Sequence, residues 1–135
     1  MNTVLSDEET QYLKSQRLAR IATATLQGEP EVSPVAFEYD GKYFYVGSHD
    51  QSIFFRTRRY KNIKSGNTKV SLVIDDLESI DPWRPRAIKV RGTAEVVEHT
   101  GMFGKGSYLR ITPRISVSWG IEPMKEGQWV SKKRH

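Results

Sequence analysis

A chain of 135 residues with 37% hydrophobic and 27% charged residues is long enough for one domain with a modest core. It contains no cysteine, which excludes disulfides, thiolate metal sites and a catalytic cysteine, and which fits a reducing compartment. The formal net charge is +5, but the last four residues supply three of these positive charges, so the rest of the chain gives little support to a nucleic-acid-binding role.

The chain carries no pattern typical of export or of a membrane span. Residues 1–16 are acidic and polar and contain no apolar run of signal-peptide length. No segment approaches the roughly 20 apolar residues that a membrane-spanning helix needs. We expect a soluble, cytoplasmic protein with one domain over residues 1–135, which includes an N-terminal helix within residues 1–16 and a C-terminal tail of residues 122–135. The basic end of this tail is expected to be a solvated terminus.

The N-terminal helix has a clear start signal. Ser6-Asp7-Glu8-Glu9 has the form of a capping box, with serine at the cap and glutamate three residues later. The pattern predicts a short helix that ends near Ser15, with Leu5 and Leu13 available for packing. The small and β-branched residues of the following segment, Leu18–Leu26, favour a strand.

The next segment predicts two strands joined by a hairpin. Val32–Tyr39 is the second predicted strand, and Pro34 lies inside it. Because proline cannot donate to a strand ladder, Pro34 is expected on an edge strand, at a bulge or against a ligand. Asp40-Gly41 is a strong hairpin signal and leads into an aromatic strand over Lys42–Ser48.

After the aromatic strand the period of two is lost and a helix is expected. Its cap is either Ser52 or Thr57. If Thr57 is the cap, Arg58 and Arg59 lie in the first turn, where cations are disfavoured unless they neutralise an anion such as a phosphate. If the helix begins at Ser52, the same residues form an ordinary solvated basic face, and both alternatives stay open.

The second half of the chain alternates between strands and turns. Gly66 is typical of the residue just after a helix, and Val70–Ile74 predicts a buried strand. Asp75-Asp76 is expected to be a solvated turn at its end. Clean alternation over Ile88–Val96 predicts a half-buried strand. Gly101–Gly106 predicts a hairpin turn and not a phosphate-binding loop, because the Gly-Lys-Ser/Thr ending is missing.

The last predicted strand, Leu109–Ile121, alternates over its whole length. Its apolar face includes Trp119, for which we expect core packing first and contact with a ligand second. Trp83 lies between two prolines and is expected to anchor a loop or an interface. His99 beside Glu98 is expected on the surface, and no histidine lies at a metal-binding spacing, so we expect no metal site. About six strands with two short helices indicate an antiparallel barrel.

A series of motifs, in this order along the chain, resembles the pyridoxamine 5′-phosphate oxidase superfamily. It is similar, more narrowly, to the branch described as dependent on the deazaflavin coenzyme F-420. The resemblance runs from about Glu8 to Ile121, and its motifs are Ser48-His49-Asp50, Thr57-Arg58-Arg59-Tyr60, Val73-Ile74-Asp75-Asp76, Asp81-Pro82-Trp83-Arg84-Pro85-Arg86, Val90-Arg91-Gly92-Thr93-Ala94-Glu95, Ile111-Thr112-Pro113 and Ser118-Trp119-Gly120. It implies a mainly β fold, a split β-barrel that forms a homodimer with two cofactor sites at the interface.

The resemblance also implies which residues bind the cofactor, FMN or coenzyme F-420. Backbone atoms of one strand segment lie along the ring system, a basic pair binds the phosphate, and neighbouring residues and a tryptophan complete the site. In this order, these residues are Val32, Ser33, Pro34 and Val35; Arg58 and Arg59; Thr57, Lys61, Gly47 and Ser48; and Trp119. No catalytic side chain is implied, because the cofactor performs the chemistry.

The chain departs from the family pattern at two places. Arg58 and Arg59 stand where the family often carries lysines, which preserves the charge and adds a bidentate donor. The helix that pyridoxamine phosphate oxidases carry before their last strand is reduced here to Gly101–Gly106. This second departure makes pyridoxamine phosphate itself an unsuitable substrate.

Three functions follow from these observations. The leading hypothesis is an oxidoreductase that transfers a hydride between the bound cofactor and a small-molecule substrate. The alternative is a flavin-binding carrier or sensor without turnover. A small-barrel nucleic-acid binder, with Tyr43, Tyr45 and Tyr60 as stacking residues, is disfavoured by the low net charge outside the tail. We therefore expect no nucleic-acid or membrane partner.

Overall fold

The computed structural model describes residues 5–122 and 131–134. Within these ranges the helices and strands, in chain order, are α1 (Asp7–Ser15), β1 (Leu18–Ala24), β2 (Pro30–Ala36), β3 (Glu38–Tyr39), β4 (Phe44–Val46), α2 (Gln51–Arg56), α3 (Arg58–Lys64), β5 (Lys69–Ser79), β6 (Arg84–Gly101), β7 (Gly104–Trp119) and β8 (Ser131–Arg134). The strands form one antiparallel sheet in the order β2-β1-β5-β6-β7-β4-β3, and β8 pairs with β7.

This arrangement confirms the mainly β, split-barrel prediction, with eight strands described where about six were expected. The tail is in part more ordered than predicted, since residues 131–134 form β8, whereas residues 123–130 and 135 lie outside the described residues. Among the described helices, none combines the length and the apolar character that a membrane crossing requires.

The core lies inside the curved sheet and is closed by the helices. Alternate residues of β5 and β6 point inward, and Phe54 of α2 and Ile63 of α3 pack into the same cluster. Each fully buried Leu, Ile or Phe contributes roughly 1.5–3 kcal/mol relative to an exposed position. The largest fully buried apolar side chains are Tyr108, Phe44, Phe54, Ile21, Leu72, Ile74, Ile88, Leu109 and Ile111.

Helix α1 begins and ends where the sequence predicts. The Ser6 hydroxyl accepts a hydrogen bond from the Glu9 amide at 3.1 Å, and the Glu9 carboxylate accepts one from the Ser6 amide at 2.8 Å. The buried Glu9 carboxylate also accepts a hydrogen bond from the Ser118 hydroxyl at 2.6 Å. At the other end of the helix, the Tyr12 hydroxyl donates to Asp76 at 2.9 Å. The capping box therefore both starts α1 and attaches it to the barrel.

The predicted strand Val32–Tyr39 is two strands in the structure. It is interrupted at Phe37, and its two parts, β2 and β3, lie at opposite ends of the strand order. Among the described strands β2 pairs with β1 alone, so the edge position predicted for Pro34 is confirmed. The hairpin predicted at Asp40-Gly41 joins β3 to β4, and Gly41 has a φ of +97° that favours glycine.

Two predictions about surface turns are wrong. Asp75 and Asp76 lie inside β5, which extends to Ser79, and they form ion pairs at 2.6 Å with Arg20 on β1 and Arg86 on β6. The two carboxylates are therefore paired with arginines on the neighbouring strands, where we had expected contact with solvent. His99 lies within β6 and stacks on Tyr45, with ring centroids 3.8 Å apart. The turn predicted at Gly101–Gly106 is confirmed, since Gly101 pairs with Gly104 in the β6–β7 hairpin.

A β-bulge changes which face of β7 is buried. Arg91 pairs with Ile115 and Gly92 pairs with Pro113, so Arg114 is an extra residue in β7. Beyond it the alternation is reversed with respect to the core, and Ser116 and Ser118 are buried. Core packing of Trp119 was therefore a wrong prediction, because one inserted residue moves every later side chain to the other face of the sheet.

The bulge adds the end of β7 to an apolar surface on the outside of the barrel. We call this surface the outer face and define it by the outward side chains of β2, β1, β5 and β6 and of the end of β7. Its apolar members are Leu18, Val32, Pro34, Val73, Ile115, Val117 and Trp119. Leu18 and Val32 are 52% and 65% exposed in the single chain, which is unusual for residues of this type on adjacent strands.

Candidate functional site

The start of α3 is the centre of the candidate site. The Thr57 hydroxyl accepts a hydrogen bond from the Tyr60 amide at 3.3 Å, so Thr57 is the cap of α3 and this alternative is confirmed. The alternative cap at Ser52 is wrong, because Asp50 caps the preceding helix α2 and accepts a hydrogen bond from the Ser52 amide at 2.8 Å. Gly66 follows the end of α3 with a φ of +120°, as predicted.

The structure separates the two arginines that the sequence analysis treated as a pair. Arg58 is exposed, whereas Arg59 is half-buried and its Nε atom has no hydrogen-bond partner among the described residues. Burial lowers the pKa of Arg59, and the charge of Glu31 on β2 acts in the opposite direction. An unpaired buried donor costs about 1–3 kcal/mol, so Arg59 is a cation with a donor available for an anion.

Strand β2 lies next to this arginine. The Ser33 hydroxyl donates to Glu31 at 3.3 Å on the inward side of the strand, and Val32 and Pro34 point to the outer face. Val35 is buried in the core. Since β2 has a partner strand on one side only among the described strands, backbone groups of its other edge are available to a ring system.

One hydrogen bond that the sequence analysis missed holds these two elements together. The Asn62 side-chain amide of α3 donates to the Thr23 hydroxyl of β1 at 2.9 Å, and both residues are buried. Thr23 pairs with Glu31 across the β1–β2 ladder. A polar residue on the inward side of a short amphipathic helix, directly before Ile63, is the signal that could have identified Asn62.

Three other predicted site residues, Gly47, Ser48 and Lys61, have different surroundings in the structure. Gly47 lies against Tyr108, and a Cβ atom at this position would be only 2.5 Å from the ring, so packing alone explains the glycine. The Ser48 hydroxyl accepts a hydrogen bond from the Asp50 amide at 3.4 Å, close to the start of α2. Lys61 is exposed on α3, one turn beyond the cap.

Trp119 is remote from β2 within one chain. It lies at the end of β7 and pairs with Ala87 of β6. Four interstrand spacings separate β7 from β2 in the strand order, which is about 19 Å along the sheet at roughly 4.8 Å per spacing. Three strands therefore lie between Trp119 and β2 in the sheet of one chain.

The tyrosines that the nucleic-acid alternative needs do not form an open stacking surface. Tyr45 is buried beneath His99, and Tyr60 packs against Phe54 with ring centroids 5.3 Å apart. The Arg110 guanidinium lies over the Tyr43 ring at 4.7 Å. Within the described residues there is also no group of three or more His, Asp or Glu side chains that could hold a metal ion.

Comparison with known proteins identifies the family. A family model described as pyridoxamine 5′-phosphate oxidase matches residues 5–119, which is most of the chain. The chain belongs to this family. The resemblance found from the ordered motifs is thereby confirmed.

One relative and two solved structures extend this result. The chain is 33% identical over 121 residues to a 5a,11a-dehydrotetracycline/5a,11a-dehydrooxytetracycline reductase of Streptomyces rimosus, with 87% of this chain and 84% of the relative covered. The conserved hypothetical protein Rv2991 from Mycobacterium tuberculosis has a TM-score of 0.66 at 18% identity, covering 94% of this chain and 95% of that one. An F420 reductase has a TM-score of 0.62 at 21% identity, covering 84% and 98%. The family and the reductase relative support an oxidoreductase of this class.

Proposed function

We propose that this protein is an oxidoreductase that binds FMN or coenzyme F-420 between β2 and the start of α3 and uses it on a small-molecule substrate. The observation that carries the proposal is the half-buried Arg59 side chain, whose Nε has no hydrogen-bond partner among the described residues. A phosphate group at this position would accept that hydrogen bond and neutralise the charge.

The residues present fit such a cofactor. Arg59 would bind the phosphate, with Thr57 and Lys61 nearby, and the free backbone edge over Val32–Val35 would orient the ring. When bound, a flavin or deazaflavin supplies the hydride that is exchanged with the substrate. The reductase relative, whose name specifies dehydrotetracyclines, favours reduction of the substrate as the working direction for this chain.

The site is tested by the affinity for each cofactor, measured by fluorescence titration of the purified protein with FMN and with coenzyme F-420. Arg59→Ala should weaken binding at least about tenfold, since hydrogen bonds to charged groups contribute about 1.5–3 kcal/mol and 1.4 kcal/mol is a factor of ten. Arg58→Ala should have a smaller effect because Arg58 is exposed. The matched control is Arg56→Ala, since the Arg56 Nε already donates to the Ser52 carbonyl of α2.

Equal and negligible losses in the three variants would contradict the site. Turnover is a separate question, because a carrier or sensor would bind the cofactor equally well. The protein loaded with reduced cofactor should return it to the oxidised form faster when a conjugated organic acceptor is added. A reoxidation rate that no acceptor changes would favour the carrier.

A further inference from the structure

Glu31 on β2 is a carboxylate close to Arg59 that the proposed cofactor site leaves without a role. Across the β1–β2 ladder Glu31 pairs with Thr23, whose hydroxyl accepts the hydrogen bond from the Asn62 side chain of α3 at 2.9 Å. Arg59 lies three residues before Asn62, so the two side chains lie on the same face of the helix. The face of α3 that carries Arg59 therefore packs over the inward side of the β1–β2 ladder, where Glu31 lies.

Glu31 is close enough to Arg59 to act on its charge but is not bonded to it. Burial lowers the pKa of Arg59, and the charge of Glu31 opposes this effect. Neither side chain forms an ion pair within the described part of the chain. The Ser33 hydroxyl donates to the Glu31 carboxylate at 3.3 Å, which holds the carboxylate against its own strand. An anion that binds the unpartnered Nε of Arg59 therefore has one half-buried cation and one carboxylate as neighbours.

This pair of charges limits the charge that a bound anion can carry. Arg59 neutralises one negative charge of a phosphate, whereas a second charge would stay uncompensated in a partly buried place near Glu31. Arg58 and Lys61 compensate it less, because both are exposed and salt screens their charges. A phosphomonoester carries about 1.5–2 negative charges at pH 7. A phosphodiester has a single acidic group and carries one.

We infer that Glu31 makes the cofactor site selective for a phosphodiester over a phosphomonoester. The inference rests on the proposed function, because it needs the phosphate at Arg59. It also separates the two candidate cofactors, since the phosphate of FMN is a monoester and that of coenzyme F-420 is a diester. Glu31 is in this assignment a specificity-determining residue and takes no part in the hydride transfer.

The test uses fluorescence titration with three flavins that differ only in the charge of the side chain. Riboflavin has no phosphate, riboflavin 5′-methyl phosphate is a diester with one negative charge, and FMN carries about two at pH 8. The wild type should bind the methyl phosphate more tightly than FMN. Glu31→Gln should gain about threefold in affinity for the methyl phosphate and about tenfold for FMN, since the repulsion that it removes doubles with the charge of the ligand. Its affinity for riboflavin should stay unchanged, because the amide oxygen can still accept the hydrogen bond from Ser33.

The charge-matched control is Glu8→Gln, which removes an exposed carboxylate from α1 and should change none of the three affinities. Equal gains in the control, or an equal gain for riboflavin in Glu31→Gln, would overturn the inference. A wild type that prefers FMN to the methyl phosphate would overturn it as well.

Arg59→Ala separates this inference from the proposed function. If Arg59→Ala binds both phosphorylated flavins as tightly as the wild type, the proposed function fails. If Arg59→Ala weakens both, and Glu31→Gln changes both by the same factor or not at all, the proposed function stands and the inference alone is wrong. A protein that binds no flavin is titrated with the three corresponding deazaflavins, and failure to bind either set overturns both proposals.

Discussion

At the scale of single residues, Gly47 shows how packing and function can be confused. The family resemblance places Gly47 near the cofactor phosphate. In the structure, close contact with the Tyr108 ring is by itself a sufficient reason for a glycine at this position. Tyr108 cannot easily move away, because its hydroxyl donates to the Gly104 carbonyl at 2.6 Å and accepts from the Phe103 amide at 3.1 Å. The side chain is 1% exposed.

The prediction for this residue is a loss of stability without any cofactor present. Gly47→Ala should lower the free energy of unfolding of the cofactor-free protein by about 1–3 kcal/mol, the usual cost of overpacking. Urea denaturation measures it, and Gly47→Ala should cost less when it is made in a Tyr108→Leu background than in the wild type, because the smaller side chain relieves the clash. Wild-type stability in Gly47→Ala, together with weaker cofactor binding, would show that the glycine serves the cofactor instead.

At the scale of elements, the signals that succeeded are local ones. The capping box of Ser6 and Glu9 specifies the start of α1 within a few residues of sequence, and Asp40-Gly41 specifies a hairpin in the same way. The reversal after Arg114 could not be predicted, because the apolar alternation continues unchanged through the bulge. Which face of β7 is buried there depends on its register with β6, and the sequence of β7 alone does not specify that register.

The hydrogen bonds that attach α1 to the barrel could not be predicted from the sequence either. The Arg86 side chain binds Asp76 with two hydrogen bonds of 2.9 and 2.6 Å, and the Tyr12 hydroxyl donates to the same carboxylate. The hydrogen bonds from Arg86 are the main cause that lowers the pKa of Asp76, and burial opposes them. Burial raises the pKa of Tyr12, and so does its hydrogen bond to Asp76, while the charge of Arg86 acts in the opposite direction.

Asp76 should therefore stabilise the fold in a pH-dependent way. Its pKa is lower in the folded state, so the stabilisation is complete above the ordinary value of about 3.9 and is lost as the pH falls through the folded-state pKa. Asp76→Asn should lower the free energy of unfolding by roughly 1.5–3 kcal/mol at pH 7, and the difference from wild type should narrow in strongly acidic buffer. Urea denaturation at both pH values measures this.

The adjacent carboxylate provides the control for this measurement. Asp75 pairs with Arg20, but these two side chains are 45% and 47% exposed. Exposed ion pairs contribute about 0–1 kcal/mol, so Asp75→Asn should change stability little at either pH. A loss in Asp75→Asn equal to that in Asp76→Asn would show that the effect reflects overall charge and not the attachment of α1.

At the scale of the whole molecule, the outer face carries apolar side chains that a single chain leaves exposed. Val73 lies on β5 with Arg20 and Lys89 as its direct neighbours, and Val117 follows in the same row. Trp83, expected to anchor a loop or an interface, is 67% exposed and does not anchor the loop within this chain. Exposed apolar side chains on neighbouring strands of one sheet face, here Leu18 and Val32, mark an interaction site.

The last prediction is that the outer face pairs with a second copy and that this pairing completes the cofactor site. Light scattering at micromolar concentration should give twice the 15.5 kDa mass of the chain. Val73→Lys should shift the protein towards monomer, because a third cation would be buried in the interface between Arg20 and Lys89. Thr100→Lys, at an exposed position near the β6–β7 hairpin, is the control and should remain dimeric. Since Trp119 lies about four strand spacings from β2 along the sheet of one chain, the Val73→Lys monomer should also bind FMN or coenzyme F-420 more weakly, although Arg59 is intact. A monomeric wild type, or a monomeric variant with full cofactor affinity, would place the whole site within one chain.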